Sequence, residues 1–123
     1  MGYVIHFDKK LKAVIGVVDG DIDVPLVNQF GLQLFTEGEK HQCTKYLADL
    51  RNTCVTDTMI NIADFALHLE ETGIKTEYQI AIVIQRNETE HNLFAAMTKN
   101  RGYSKIRYFR DIDAAHTWLF NLP

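Results

Sequence analysis

YVIHFDKKLKAVIGVVDGDID, residues 3–23, decides the architecture. Two runs rich in β-branched and aromatic residues, YVIHFD and LKAVIGVVDG, flank a pair of lysines. Such residues suit a pleated, half-buried surface, and the short basic break between them reads as a hairpin turn. No segment long enough for a helix separates the runs, so the chain opens with two antiparallel strands. The end of the stretch starts the next element. Asp23 with Pro25 behind it marks a helix start, and Leu26, Phe30 and Leu34 recur at i, i+4, i+8 until TEGEK, residues 36–40, ends the helix.

Farther along, strands and helices alternate. TKYLADL, residues 44–50, is a third strand with a continuous apolar centre, expected to end near Asp49. Asp57 is the expected N-cap of a second helix, with Ile62, Phe65, Ala66 and Leu69 on one face and Gly73 as its stop. YQIAIVIQ is the fourth strand, and Thr89 and Glu90 begin a third helix that carries Leu93, Phe94 and Met97 to Gly102. KIRYF is a short fifth strand, and a last helix from Asp111 buries Ala115, Trp118, Leu119 and Leu122. The order is β-β-α-β-α-β-α-β-α. It implies one α/β domain over residues 1–123, with a mostly parallel sheet opened by an antiparallel hairpin and covered by helices.

Composition narrows the function. The 123 residues are 46% hydrophobic and 24% charged with a formal net charge of −3, the profile of one ordinary globular domain. Basic residues cluster only in the scattered KNRGYSKIRYFR, which does not support nucleic-acid binding. The longest apolar runs, AVIGVV and IAIVI, fall far short of the ~20 residues of a transmembrane helix. The start, MGYVIHFDKK, has no signal-peptide pattern and places His6 where a myristoylation signal requires Ser or Thr, so a cytoplasmic location is expected. Cys43 and Cys54 form no CxxC pair, and His41 beside Cys43 has no second ligand pair at metal spacing. Neither a metal nor any other cofactor is expected. The thiols read as small semi-buried side chains, and no nucleophile, base and orienting group converge in a motif, so the reading is non-catalytic.

Asp49 and Asp57 bracket the polar segment after the third strand, and Asp49 alone raises the possibility of a phosphoacceptor like that of a receiver domain. The opening hairpin argues against it. A receiver alternates strand and helix from its start and places a lysine after its last strand, where YFRDID offers Arg110. Asp49 and Arg51, two apart, would share a face if the strand continued, and a local ion pair would then explain both.

The element order resembles that of the STAS domains, the anti-sigma-factor antagonist-like family, and looks closest to their SpoIIAA-like branch. GDID, residues 20–23, resembles the family's G-E-L-D signature, and FRDIDAAHTWL, residues 109–119, resembles its F-x-D-x-x-x-A-x-x-W-L tail. Asp57, Thr58, Met59 and Ile60 align with the D-S-S-G motif. The resemblance implies a regulatory or protein-interaction module whose second Ser is phosphorylated. Here that Ser is Met59, whose thioether accepts no phosphoryl group, so the standard switch is expected to be absent. The expected surface for a protein partner or an anion comprises Asp23, Asp49, Asp57 and Thr58. The resemblance also implies an alternative, a carrier or sensor of an apolar small molecule or lipid with membrane-surface contact. The expected lining is then Met59, Ile62, Phe65, Leu93, Phe94 and Met97, side chains that would equally serve as ordinary core.

Overall fold

The computed structural model describes residues 2–121; Leu122, expected in the core, lies outside them. The opening hairpin pairs β1 (Tyr3–Asp8) antiparallel to β2 (Ala13–Ile22). Asp8 makes its turn: the carboxylate accepts the Lys10 and Leu11 N–H groups at 3.0 Å each, and its carbonyl accepts the Lys12 N–H at 2.8 Å. Next come α1 (Val24–Lys40), β3 (Lys45–Val55), α2 (Met59–Leu67) and a 3₁₀ turn (Leu69–Thr72). β4 (Gln79–Val83), α3 (Glu88–Asn100), β5 (Ile106–Phe109) and α4 (Ile112–Phe120) complete the chain. The sheet order is β1-β2-β3-β4-β5, with every pair after the hairpin parallel.

Both faces of the sheet are buried along its middle, because successive side chains point to opposite sides. Tyr46, Ala48, Ile80, Ile82 and Ile84 enter the larger core with Phe30, Leu34 and Phe35 of α1. Leu47, Ala81 and Val83 face the other way and pack with Ala115 and Leu119 of α4. Lys45 Nζ donates to the Leu119 carbonyl at 2.8 Å, tying α4 to the start of β3.

Three element boundaries differ from the sequence expectation. β3 does not stop near Asp49 but continues to Val55, paired with β2 out to Ile22–Val55, whereas its last pair with β4 is Asp49–Val83. Asp49 is therefore a mid-strand residue. Its charge is tolerated there because Arg51 donates through Nε at 2.9 Å and Nη2 at 2.7 Å, a bidentate pair along one face of the strand. α1 runs through TEGEK to Lys40, with Gly38 packed so closely on Tyr46 that a Cβ there would overlap its hydroxyl. The second helix is shorter than its apolar period, since α2 ends at Leu67 and Leu69 belongs to the 3₁₀ turn that Gly73 closes at φ 90°.

Candidate binding site

The loop from Val55 to Met59 brings the starts of α1 and α2 together. Asp23 caps α1, its Oδ1 accepting the Leu26 N–H at 3.0 Å. Asp57 does not cap α2, contrary to expectation. Its Oδ2 crosses to accept the Val24 N–H at 2.7 Å, and its Oδ1 accepts the Thr58 N–H at 2.8 Å and the Asn61 Nδ2 at 2.7 Å. Thr58 is the cap, with Oγ1 accepting the Asn61 N–H at 3.1 Å. The physical reason is that the first turn of a helix offers free N–H groups, and the neighbouring helix places one within reach of Asp57. These bonds, that from Val24 foremost, hold the Asp57 carboxyl below its usual range. Asp57 is thus itself the anion at these two helix starts.

Asp49 is not part of this constellation. It shares the side of β3 that carries Leu47 toward α4, while Ala48 and Leu50 face α1 and α2. Hydrogen bonding from Arg51 lowers its pKa, and Asp111 at the start of α4 adds to the field on Arg51. Asp23, Asp57 and Thr58 form one neighbourhood, and Asp49 belongs to another.

α2 presents apolar side chains to solvent. Met59 is 41% exposed, Ile60 81% and Leu67 50%, with Ile60 and Leu67 one heptad apart on the same side of the helix. Cys54, also read as semi-buried, is exposed in the β3 extension, whereas Cys43 is buried.

Between the sheet and α1, α2 and α3 lies an apolar cavity of ≈140 Å³. Of the residues named for an apolar lining, Ile62, Phe65 and Phe94 border it, with the Phe65 and Phe94 rings stacked at 5.7 Å. Met59, Leu93 and Met97 do not line it. Met59, the first residue of α2, is exposed, and Leu93 and Met97 are partly buried elsewhere on α3. Sequence reading missed the lining from α1 and the strands, including Phe30, Leu50 and Ile82, and it missed His91 and Tyr108. A signal for His91 was present: with Phe94 and Thr98 it falls at i, i+3, i+7, the inward stripe of α3. Burial lowers the His91 pKa and raises that of the Tyr108 phenol. Asn87 makes no side-chain cap on α3; its Oδ1 instead accepts the Val55 N–H at 2.9 Å.

The chain matches no family model and no curated protein. Among solved structures it is similar to an uncharacterised protein of the DUF3478 family from Shewanella loihica PV-4, described as having a SpoIIAA-like fold. The two share 17% identity at a TM-score of 0.57, over 96% of this chain and 93% of that one. The fold is SpoIIAA-like. In this SpoIIAA-like fold the element order, the opening hairpin and the mixed five-stranded sheet agree with the STAS-type architecture expected from the sequence. Among the described residues no helix is long and apolar enough to cross a membrane.

Proposed function

We propose that this chain is a non-catalytic binding module of STAS type that engages a protein partner through the start of α2 and works without the phosphoserine switch. The observation that carries the reading is the exposure of Ile60 and Met59 immediately after the cap. An apolar side chain that is 81% exposed at the first turn of a short helix gains by being covered, and a partner would cover it. Asp23 and Thr58 supply polar groups beside it, and Asp57 fixes the two helix starts relative to each other. Met59 at the position of the phosphoacceptor Ser cannot carry the phosphoryl group, so partner choice rests on shape and apolar contact rather than on added charge. The test is recovery of partners by the tagged protein from its own host. Wild type should retain a stoichiometric protein that Ile60→Asp and Thr58→Glu lose while remaining folded; identical recoveries by all three would sink the reading.

The cavity favours a second reading, a carrier or sensor of a small apolar molecule. An apolar space of this size is the kind that takes up a benzene-sized guest. Mass spectra of one host-purified sample under native and denaturing conditions test it. An excess mass present only in the native spectrum supports a bound guest, and equal masses count against one.

A further inference from the structure

We infer that the free edge of β1 pairs antiparallel with the same strand of a second copy of this chain, joining two sheets across a two-fold axis at Ile5. The contact lies at the edge of the sheet and does not use the face proposed for α2.

The two edges of the open sheet, β1 and β5, differ. Free edges are commonly blunted by short strands, edge charges or proline. β5 is such an edge, four residues long and carrying Arg107. β1 has six residues, YVIHFD, with no Pro, Lys or Arg, and its one acid, Asp8, is taken up by the turn. Apolar exposure follows the same division. Of the exposed large apolar side chains, Met59, Ile60 and Leu67 lie on α2, and the others, Val4, Val17 and Leu32, flank β1. Val4, at 68% exposed, and its neighbour Val17 lie on the α4 side of the sheet. Leu32 of α1 borders a shallow groove with Ile5 on the opposite side. A partner resting on one face would cover only one of these groups, whereas a strand added in the plane of the sheet approaches both.

The backbone of β1 is self-complementary. The Asp19 N–H donates to the Gly2 carbonyl at 2.8 Å, so by the alternation of an antiparallel ladder Val4 and His6 are the next residues bonded to β2. Tyr3, Ile5 and Phe7 therefore direct their N–H and C=O groups away from the sheet. In an antiparallel pair centred on Ile5, Ile5 meets its own copy and Tyr3 meets Phe7, which gives about six interchain hydrogen bonds. Val4 then stands opposite the partner's His6, and the Leu32 side of each α1 faces the seam. The helices fit this spacing. α1 lies over β1 and β2, so with strands ~4.8 Å apart the two copies of α1 stand about 10 Å apart, close to the separation of packed helices.

Charge selects the antiparallel order and a second copy as the occupant. Exposed Lys9 and Lys10 lie at one end of β1 and exposed Asp19 and Asp21 at the other. Among the described residues none of the four has an ion-pair partner. Antiparallel pairing sets the lysines of each copy beside the acids of the other, and parallel pairing sets like charge beside like.

Sedimentation equilibrium over a concentration series tests the inference on wild type, Val4→Lys and Ile5→Pro. Val4 is exposed, and proline at position 5 removes only an outward N–H, so both variants should keep the fold, checked by circular dichroism. Wild type is expected to reach twice the chain mass. Ile5→Pro should weaken the dimer about thirtyfold, the worth of two hydrogen bonds, and Val4→Lys about tenfold or more. Replacing Lys9 and Lys10 by Asp should also weaken it, and adding Asp19→Lys and Asp21→Lys to that chain should restore it. A wild type that stays monomeric would overturn the inference and leave the edge to another occupant. A dimer equally strong in Val4→Lys and Ile5→Pro would place the contact elsewhere and overturn it too. Charge reversal without recovery in the exchanged chain would exclude the antiparallel order.

Discussion

Asp57 is the residue on which the site's geometry turns, since one carboxylate joins the first amide of α1 to the first turn of α2. Its pKa is lowered from 3.8 by these bonds, so its contribution to stability is fully present above that value and is lost as pH falls through the lower, folded-state pKa. Asp57→Asn should therefore melt at a lower temperature than wild type at pH 7, and the two melting temperatures should converge in acid below pH ~4. Convergence at neutral pH would mean that the carboxylate is not a tether. His91 has the same sign for a different reason. Its folded-state pKa lies below the ordinary 6.5 because burial disfavours the charged ring, so it costs stability as pH drops below that value and the unfolded chain takes up the proton. The pH dependence of melting between about 7 and 5 should accordingly be shallower in His91→Phe than in wild type.

At the scale of the element, α2 is the lightly held part of the site. It has nine residues and buries Ile62 and Ala66, whereas α1 has seventeen and buries Phe30, Gly31, Leu34, Phe35 and Gly38. Its Thr58 cap is worth about 1 kcal/mol, so Thr58→Ala should lower stability by that amount in denaturant unfolding. Amide exchange should be faster across Met59–Leu67 than across the core of α1. α1 carries the opposite lesson. Gly38→Ala would improve helix propensity, but its Cβ would overlap the Tyr46 hydroxyl and ring, so the variant should be destabilised by about 1–3 kcal/mol. The end of α1 was not legible in the sequence because the polar segment TEGEK carries no apolar period, and the packing of Gly38 on Tyr46 is visible only in the fold. β3 was misjudged for a related reason. An acid ends a strand in the absence of a partner, and Arg51 could be paired with Asp49 only once the strand was known to continue. The hairpin, by contrast, was legible because β-branched runs and a polar turn are local signals.

For the whole molecule, two cores lie on the two faces of one sheet, and the cavity lies in the larger. Leu119, fully buried on the α4 face, should cost about 2–5 kcal/mol when truncated to Ala even though it is far from the candidate site. Of the six apolar residues expected to line a pocket, the helical period alone identified Ile62, Phe65 and Phe94 and could not separate them from Met59, Leu93 and Met97. A cavity is a gap between three helices and a sheet, so its outline depends on how far each element stands from its neighbours, which periodicity does not encode. Asp49 was grouped with Asp23 and Asp57 because all three are acids near strand or helix ends. The alternation of β3 puts it on the other face.

The proposed binding face is the start of α2. A photo-crosslinking residue in place of Ile60, compared with the same residue in place of Lys9 at the distant hairpin turn, tests it in the host cell. A discrete crosslink to a different protein is expected from position 60 and none from position 9. Crosslinking from neither position, or equally from both, would contradict it.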